Sequence, residues 1–217
     1  ITLNAGIITG NPIDYSYAWS TGEDTFEIDI NAIGTFSVEV TNSNGCSKIR
    51  TITVLPSNIA TIDDISVVDA TSNNRITILV SGEGDYEFAL DNPNGQYQES
   101  NVFTNIVPGF HTVYVRDRNG CGITEQLISV LGFPRYFTPN GDNFHDTWKP
   151  LGVDARFRSS MIIQIYNRYG KLIKQVNPNG KGWNGTLNGE NLSVDDYWYV
   201  VTFSDGKEYR GHFALIR

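Results

Sequence analysis

The most polar stretch of the sequence is residues 140–148, which read Asn-Gly-Asp-Asn-Phe-His-Asp-Thr-Trp. Asp142 and Asp146 stand close together among amide side chains, and such oxygens are the ligands that Ca²⁺ prefers. The segment lacks the EF-hand pattern and its terminal Glu. The alternative is a Pro-Asn-Gly-Asp turn stiffened by side-chain hydrogen bonds, with Trp148 in the core. The turn is favoured, and no metal site is assigned.

Catalytic chemistry finds little support in the residue pattern. The histidines His111, His145 and His212 are isolated in sequence, and neither a Gly-x-Ser-x-Gly elbow nor a His-Glu-x-x-His motif occurs. The acidic residues are spread along strands and turns without a pairing that would supply an acid and a base. We therefore expect a non-enzymatic chain that needs no cofactor.

The two cysteines, Cys46 and Cys121, occupy equivalent places in two similar segments. A disulfide between them would require those segments to fold back on each other. We therefore expect two unpaired, buried thiols. A bridge between modules or between molecules stays open for a protein in an oxidising exterior.

Aromatic residues could form a sugar-stacking platform, with contributions from the four Trp and from Tyr97, Tyr136, Tyr169 and Tyr209. Such residues fill sandwich cores more often. Core positions are expected for Trp19, Trp148 and Trp183, because they lie in strand-like or motif segments. Trp198 is left open, since its two neighbours in a strand must point to the opposite face.

These residues belong to a chain of 217 residues with 16 basic and 24 acidic side chains, a formal net charge of −8. The acidic excess disfavours nucleic acids and anionic lipid surfaces as partners. No apolar run approaches membrane-spanning length. The sequence starts at Ile1 without an export signal, so we expect the C-terminal piece of a larger protein.

An internal repeat organises the first part of the chain. Residues 34–46 return as residues 109–121, and each copy alternates apolar positions, enters an Asn-Gly turn and continues into a closing strand. Other short period-two segments occur at 15–19, 26–30, 76–80 and 86–90. The pattern predicts tandem immunoglobulin-like β-sandwich modules over residues 1–56 and 57–132.

Residues 133–217 repeat neither module but keep the β signature. Strands are expected at 161–166, 172–176, 197–203 and 209–216. Residues 192–196 could form one helical turn. We expect a C-terminal β-sandwich domain, so that the whole chain is all-β.

Five motifs of this last domain resemble, in order, those of the gliding motility-associated C-terminal domain, the type B sorting domain of the type IX secretion system of Bacteroidetes. They lie at residues 137–148, 165–170, 183–189, 197–199 and 215–217. Two positions depart from the family pattern: Asn143 replaces a Gly and His145 replaces an Asn. The upstream modules resemble, more weakly, the immunoglobulin-like or PKD-like repeats of surface adhesins.

The resemblance implies that the last domain is the sorting signal recognised by the type IX secretion machinery. It also implies a secreted adhesin of the gliding motility type, held at the cell surface and outer membrane by a β-barrel partner of the PorP/SprF-like family. We expect the docking surface at the final strand and the loop that follows Phe137. Its candidate residues are Pro139, Asn140, Gly141, Asp142, Asp146, Tyr209, Gly211, Phe213 and Arg217.

The final strand could dock by main-chain hydrogen bonds. At a sheet edge, its free N–H and C=O groups would accept a partner strand. A strand already paired on both sides is the alternative. Two other functions also stay open for the chain: a carbohydrate-binding module and the non-catalytic tail of a secreted enzyme.

Overall fold

A computed structural model describes residues 1–158 and 160–217, and it consists almost entirely of strands and turns. The all-β prediction is therefore confirmed. The chain divides into two compact units, Ile1–Asn58 and Ile59–Arg217. Within the described residues, no helix is long and apolar enough to cross a membrane.

The first unit is a small module of two sheets. Its strands are β1 (Thr2–Asn4), β2 (Tyr15–Trp19), β3 (Glu27–Asp29), β4 (Gly34–Asn42) and β5 (Ser47–Val54), with a 3₁₀ turn at Pro12–Asp14. β1 pairs with β3, and β4 lies between β2 and β5. Leu3 and Ile28 from one sheet share a core with Trp19 and Val38 from the other. The core prediction for Trp19 is confirmed.

The second unit begins with a sandwich of two three-stranded sheets. Its strands are β6 (Thr61–Val68), β7 (Arg75–Ser81), β8 (Tyr86–Leu90), β9 (Val102–Thr104), β10 (Gly109–Asp117) and β11 (Ile123–Val130). β7 lies between β6 and β9, and β10 lies between β8 and β11. Ile76 and Ile78 of one sheet share a core with Val113 and Val115 of the other.

The rest of the second unit is built on a five-stranded sheet. Its strands are β12 (Tyr136–Phe137), β13 (Ile162–Tyr166), β14 (Leu172–Val176), β15 (Thr186–Leu187), β16 (Glu190–Asn191), β17 (Asp195–Thr202) and β18 (Glu208–Leu215). The sheet order is β12-β18-β17-β13-β14, and β15 and β16 form a separate hairpin. The helical turn expected at residues 192–196 is wrong, because Asp195 already pairs with Leu215 as the first residue of β17.

A junction of backbone and side-chain contacts joins the two parts of the second unit. The Ala70 N–H donates to the Leu131 carbonyl at 2.9 Å, and the Leu131 N–H donates to the Asp69 carboxylate at 2.8 Å. Arg158 forms an ion pair with the same carboxylate at 2.7 Å. The domain boundary predicted at residues 132–133 therefore falls inside a compact unit, and it stays a prediction.

Both cysteines are free and exposed, so the expectation of buried thiols is wrong. The reason is the hairpin turn that precedes each of them. Gly45 and Gly120 take positive φ angles of 81° and 88° at the tips of the β4–β5 and β10–β11 hairpins. Cys46 and Cys121 follow immediately, outside the cores that the strands enclose.

Candidate functional site

The five motifs of the C-terminal domain converge on one hydrophobic core. One residue from each motif lies in this core and is at most 3 % exposed: Phe137, Ile165, Trp183, Tyr197 and Leu215. Trp148 and Trp183 exchange two backbone hydrogen bonds of 2.8 and 2.9 Å, so their motifs are joined directly. Their indole N–H groups donate to the backbone carbonyls of residues 134 and 186. The core predictions for both tryptophans are confirmed.

The loop of residues 138–146 leaves this core after β12 and is organised by its own carboxylates. Asp142 accepts hydrogen bonds from the Phe144 N–H at 2.7 Å and the Asn140 side-chain amide at 2.8 Å. Asp146 accepts from the Gly141 N–H at 2.7 Å and the Asn143 N–H at 2.8 Å. All four carboxylate oxygens are thus engaged inside the loop. Pro139, half-buried, leads into the loop from β12.

Three residues of this loop have positive φ angles: Gly141 at 83°, Asn143 at 70° and His145 at 51°. Asn143 and His145 are the two positions that depart from the family pattern. Asn and His are among the side chains that enter the left-handed region most readily. Both departures are therefore compatible with the same loop conformation.

The hydrogen bonds within the loop favour the turn over the cation site. The Phe144 N–H, followed by the Asn140 amide, lowers the pKa of Asp142, because both bonds favour the ionised carboxylate. Across residues 1–158 and 160–217, no three His, Cys, Asp or Glu side chains form a group that could hold a metal ion. The geometry supports the turn interpretation.

Phe144 is a surface residue whose exposure the sequence pattern does not indicate. Its side chain is 74 % exposed although it is large and apolar. The adjacent His145 ring packs on Tyr136 instead, with centroids 5.4 Å apart. The alternation of Asn, Asp and Gly around Phe144 is the sequence signal for a tight loop.

Beside this loop, β18 has a largely open outer edge. It pairs with β17 along its whole length, but with β12 only at Ala214 and Leu215. The Ala214 N–H donates outward to Arg135. Because backbone groups alternate along a strand, the N–H and C=O groups of residues 208, 210 and 212 point to that same side. Within the described residues, no strand pairs with this stretch.

The other predicted docking residues of β18 turn their side chains inward. Phe213 is fully buried and stacks on Trp148, with ring centroids 4.3 Å apart. Tyr209 is half-buried and stacks on Phe133. Gly211 leaves room for the Tyr199 ring, whose hydroxyl a Cβ atom would meet. These side chains support the strand from the core side, and their backbone groups face β17, so the groups available to a partner strand are those of residues 208, 210 and 212.

Arg217, also a predicted docking residue, attaches the C-terminal end of the chain to the rest of the domain. Its guanidinium donates to the Leu192 carbonyl, to the Gly185 carbonyl at 3.2 Å and to the Asn191 side chain at 3.1 Å. It therefore ties the chain end to the motif that begins at Trp183, which is a structural role.

The sequence suggested that His111 is isolated, but in the structure it has two hydrogen-bond partners. Its ring, 7 % exposed, hydrogen-bonds to the Asp91 carboxylate at 2.7 Å and to the Val107 carbonyl at 2.8 Å. Both ring nitrogens are thereby occupied, and the histidine fastens the loop before β10 to the end of β8.

Comparison with known proteins supports the resemblance of the last domain. Residues 131–215 match the model of the CHU_C family, described as a type IX secretion signal domain. No curated protein sequence matches the chain.

Several solved structures show a distant likeness to the chain. PorZ of the type IX secretion system of Porphyromonas gingivalis is 14 % identical over 91 % of this chain and 32 % of its own, with a TM-score of 0.32. Latent PorU of the same organism is 14 % identical over 88 % and 25 %, with a TM-score of 0.26. The surface layer protein SbsC is 12 % identical over 96 % and 40 %, with a TM-score of 0.20. The chain thus spans less than half the length of each.

Proposed function

We propose that residues 131–215, which match the model of the CHU_C type IX secretion signal domain, direct the chain through the type IX machinery and then hold it at the cell surface. The proposed anchor is an outer-membrane β-barrel of the PorP/SprF-like family. The upstream β-sandwich modules would serve as the stalk of a gliding-type adhesin. The observation that carries the proposal is the convergence of the five motifs on one core.

The proposed docking surface combines the loop of residues 139–146 with the open outer edge of β18. The loop offers a fixed shape, because Asp142 and Asp146 bind its N–H groups internally. The edge offers unpaired backbone groups at residues 208, 210 and 212, which suit the addition of a partner strand. Phe144 adds an exposed apolar side chain beside them.

A groove runs along the same edge and gives a partner strand room to enter. Its volume is about 870 Å³, and its walls include Asn105 and Pro108 of the sandwich and Tyr209 and His212 of β18. The sandwich therefore contributes one wall of the proposed docking surface. For this reason we propose that the signal works best when residues 59–132 accompany it.

Secretion of a passive reporter tests the export role. Fusions to residues 59–217 and to residues 133–217 would be expressed in a strain with the type IX system and in one without it. We expect export of both in the first strain only, with the longer fusion exported more efficiently. Equal export from the strain that lacks the system would contradict the proposal, and equal export of the two fusions would show that the sandwich is only a spacer.

A further inference from the structure

Trp198 differs from the other three tryptophans of the chain. Trp19, Trp148 and Trp183 are at most 5 % exposed, whereas Trp198 is 42 % exposed. It lies in β17 between Tyr197 and Tyr199, which are buried at 3 % and 4 % exposure. Its side chain therefore stands on the outer face of the five-stranded sheet, where its large apolar surface is available to a ligand.

The strand register places Trp198 in a row of planar rings across this outer face. Tyr166 of β13 is its partner on one side, and His212 of β18 is its partner on the other. The Trp198 and His212 ring centroids are 6.4 Å apart. Adjacent strands lie about 4.8 Å apart, so the row spans three neighbouring strands.

Groups able to form hydrogen bonds lie in the next register row. Gln164 pairs with Val200, and Val200 pairs with Arg210. The Gln164 carbonyl oxygen accepts from the Tyr166 hydroxyl at 3.1 Å. No residue in the described part of the chain engages its amide nitrogen, which stays free to donate. Both rows line one open groove of about 790 Å³, a volume typical of small-molecule sites.

The charges beside this groove are neutralised within the protein. Arg168 forms an ion pair with Asp195, and Arg210 forms one with Glu208 at 2.7 Å. Each guanidinium thus has its own carboxylate, so the surface has no excess of either sign to attract a charged ligand. The fitting ligand is neutral, has an apolar face for the ring row and has hydroxyl groups for Gln164 and Arg210.

We propose that the outer sheet face around Trp198 binds a neutral oligosaccharide. A pyranose ring would stack on Trp198, and its hydroxyl groups would hydrogen-bond to Gln164 and Arg210. This site lies on the opposite side of the sheet from the core, and its groove is lined by residues of β13, the β13–β14 turn, β17 and β18. It is a function in addition to export and does not depend on it.

Binding is tested with the whole chain, using cellohexaose, laminarihexaose and mannohexaose as neutral probes and polygalacturonate as an acidic one. Trp198 is the exposed tryptophan, so a bound neutral probe should protect part of the fluorescence from acrylamide quenching. Titration calorimetry gives the affinity. We expect Trp198→Ala to weaken binding about tenfold or more, the effect of losing one stacked aromatic contact.

Phe144→Ala is the matched control, because it removes another exposed aromatic side chain outside the groove. It should leave oligosaccharide binding unchanged. The proposal is overturned if none of the three neutral probes protects Trp198, or if Trp198→Ala binds as tightly as the wild type. Preferential binding of polygalacturonate would also overturn it, since the groove would then select charge. Protection by a purified outer-membrane barrel instead of an oligosaccharide would identify the face as a protein interface.

Discussion

The junction at Asp69 and the loop at Asp142 and Asp146 use the same interaction, a carboxylate that accepts backbone N–H groups, in two different settings. The Asp69 side chain is 11 % exposed and also pairs with Arg158. The loop carboxylates lie at the surface. Hydrogen bonds to a buried charge contribute far more to stability than exposed ones. The junction therefore stabilises the second unit, whereas the loop carboxylates set the shape of a surface.

The largest expected effect comes from crowding the close contact between Gly152 and the Val130 backbone, next to Leu131 of the junction. Its φ is +71°, and a Cβ atom would lie inside the contact distance of the Val130 carbonyl. We expect Gly152→Ala to lower the free energy of unfolding of the second unit by on the order of 3 kcal/mol. Chemical denaturation measures the change.

Gly206→Ala is the matched control for that variant. Gly206 has a φ of +82°, but no atom lies within 4 Å of its added Cβ. It should therefore show only the cost of a left-handed alanine, about 1 kcal/mol. Equal losses in the two variants would mean that the close approach at the junction contributes nothing.

Removing the buried carboxylate should have the next largest effect. Asp69→Ala leaves the Leu131 N–H and the Arg158 guanidinium without their acceptor. We expect a loss of about 2 kcal/mol in the free energy of unfolding. Asp69→Asn keeps an oxygen for the N–H and should lose less. If Asp69→Ala unfolds like the wild type, the junction is not a stabilising contact.

In the loop, replacing an aspartate by alanine should affect binding to the barrel more than the stability of the fold. Asp146→Ala removes the acceptor for the Gly141 and Asn143 N–H groups, both near the surface. We expect a stability loss of about 1 kcal/mol or less, together with at least about tenfold weaker binding to a purified PorP/SprF-like barrel. Unchanged barrel binding would remove the loop from the docking surface.

The smallest effect concerns pH. Hydrogen bonds lower the pKa of Asp142 in the folded loop. The Asp142 carboxylate therefore binds a proton more weakly in the folded protein than in the unfolded chain. The stabilisation is fully present above the ordinary Asp pKa of about 3.9 and is lost as the pH falls through the lower folded value. Barrel binding should therefore be the same at about pH 7 and pH 5. A loss within that interval would show that another group controls the loop.

Much of the strand pattern could be predicted, because period-two alternation and Asn-Gly turns are local signals. Tyr86–Leu90 and Leu172–Val176 form strands as expected. β6 was not expected, since Asp63 and Asp64 interrupt the alternation and the structure accommodates them in a register shift against β7. The exposure of Phe144 and Trp198 also depends on which face the tertiary structure covers, and a single sequence does not contain that information.

The docking role of the β18 edge rests on the backbone N–H of residue 212. It points away from β17, so His212→Pro removes a hydrogen-bond donor that the fold does not use. His212→Ala removes the same side chain but keeps the N–H. Binding of both purified variants to the PorP/SprF-like barrel, with unfolding curves measured in parallel, tests the central claim most directly. We predict that both variants stay folded and that only His212→Pro loses binding, by about tenfold or more; equal binding by the two folded variants would contradict strand addition at this edge.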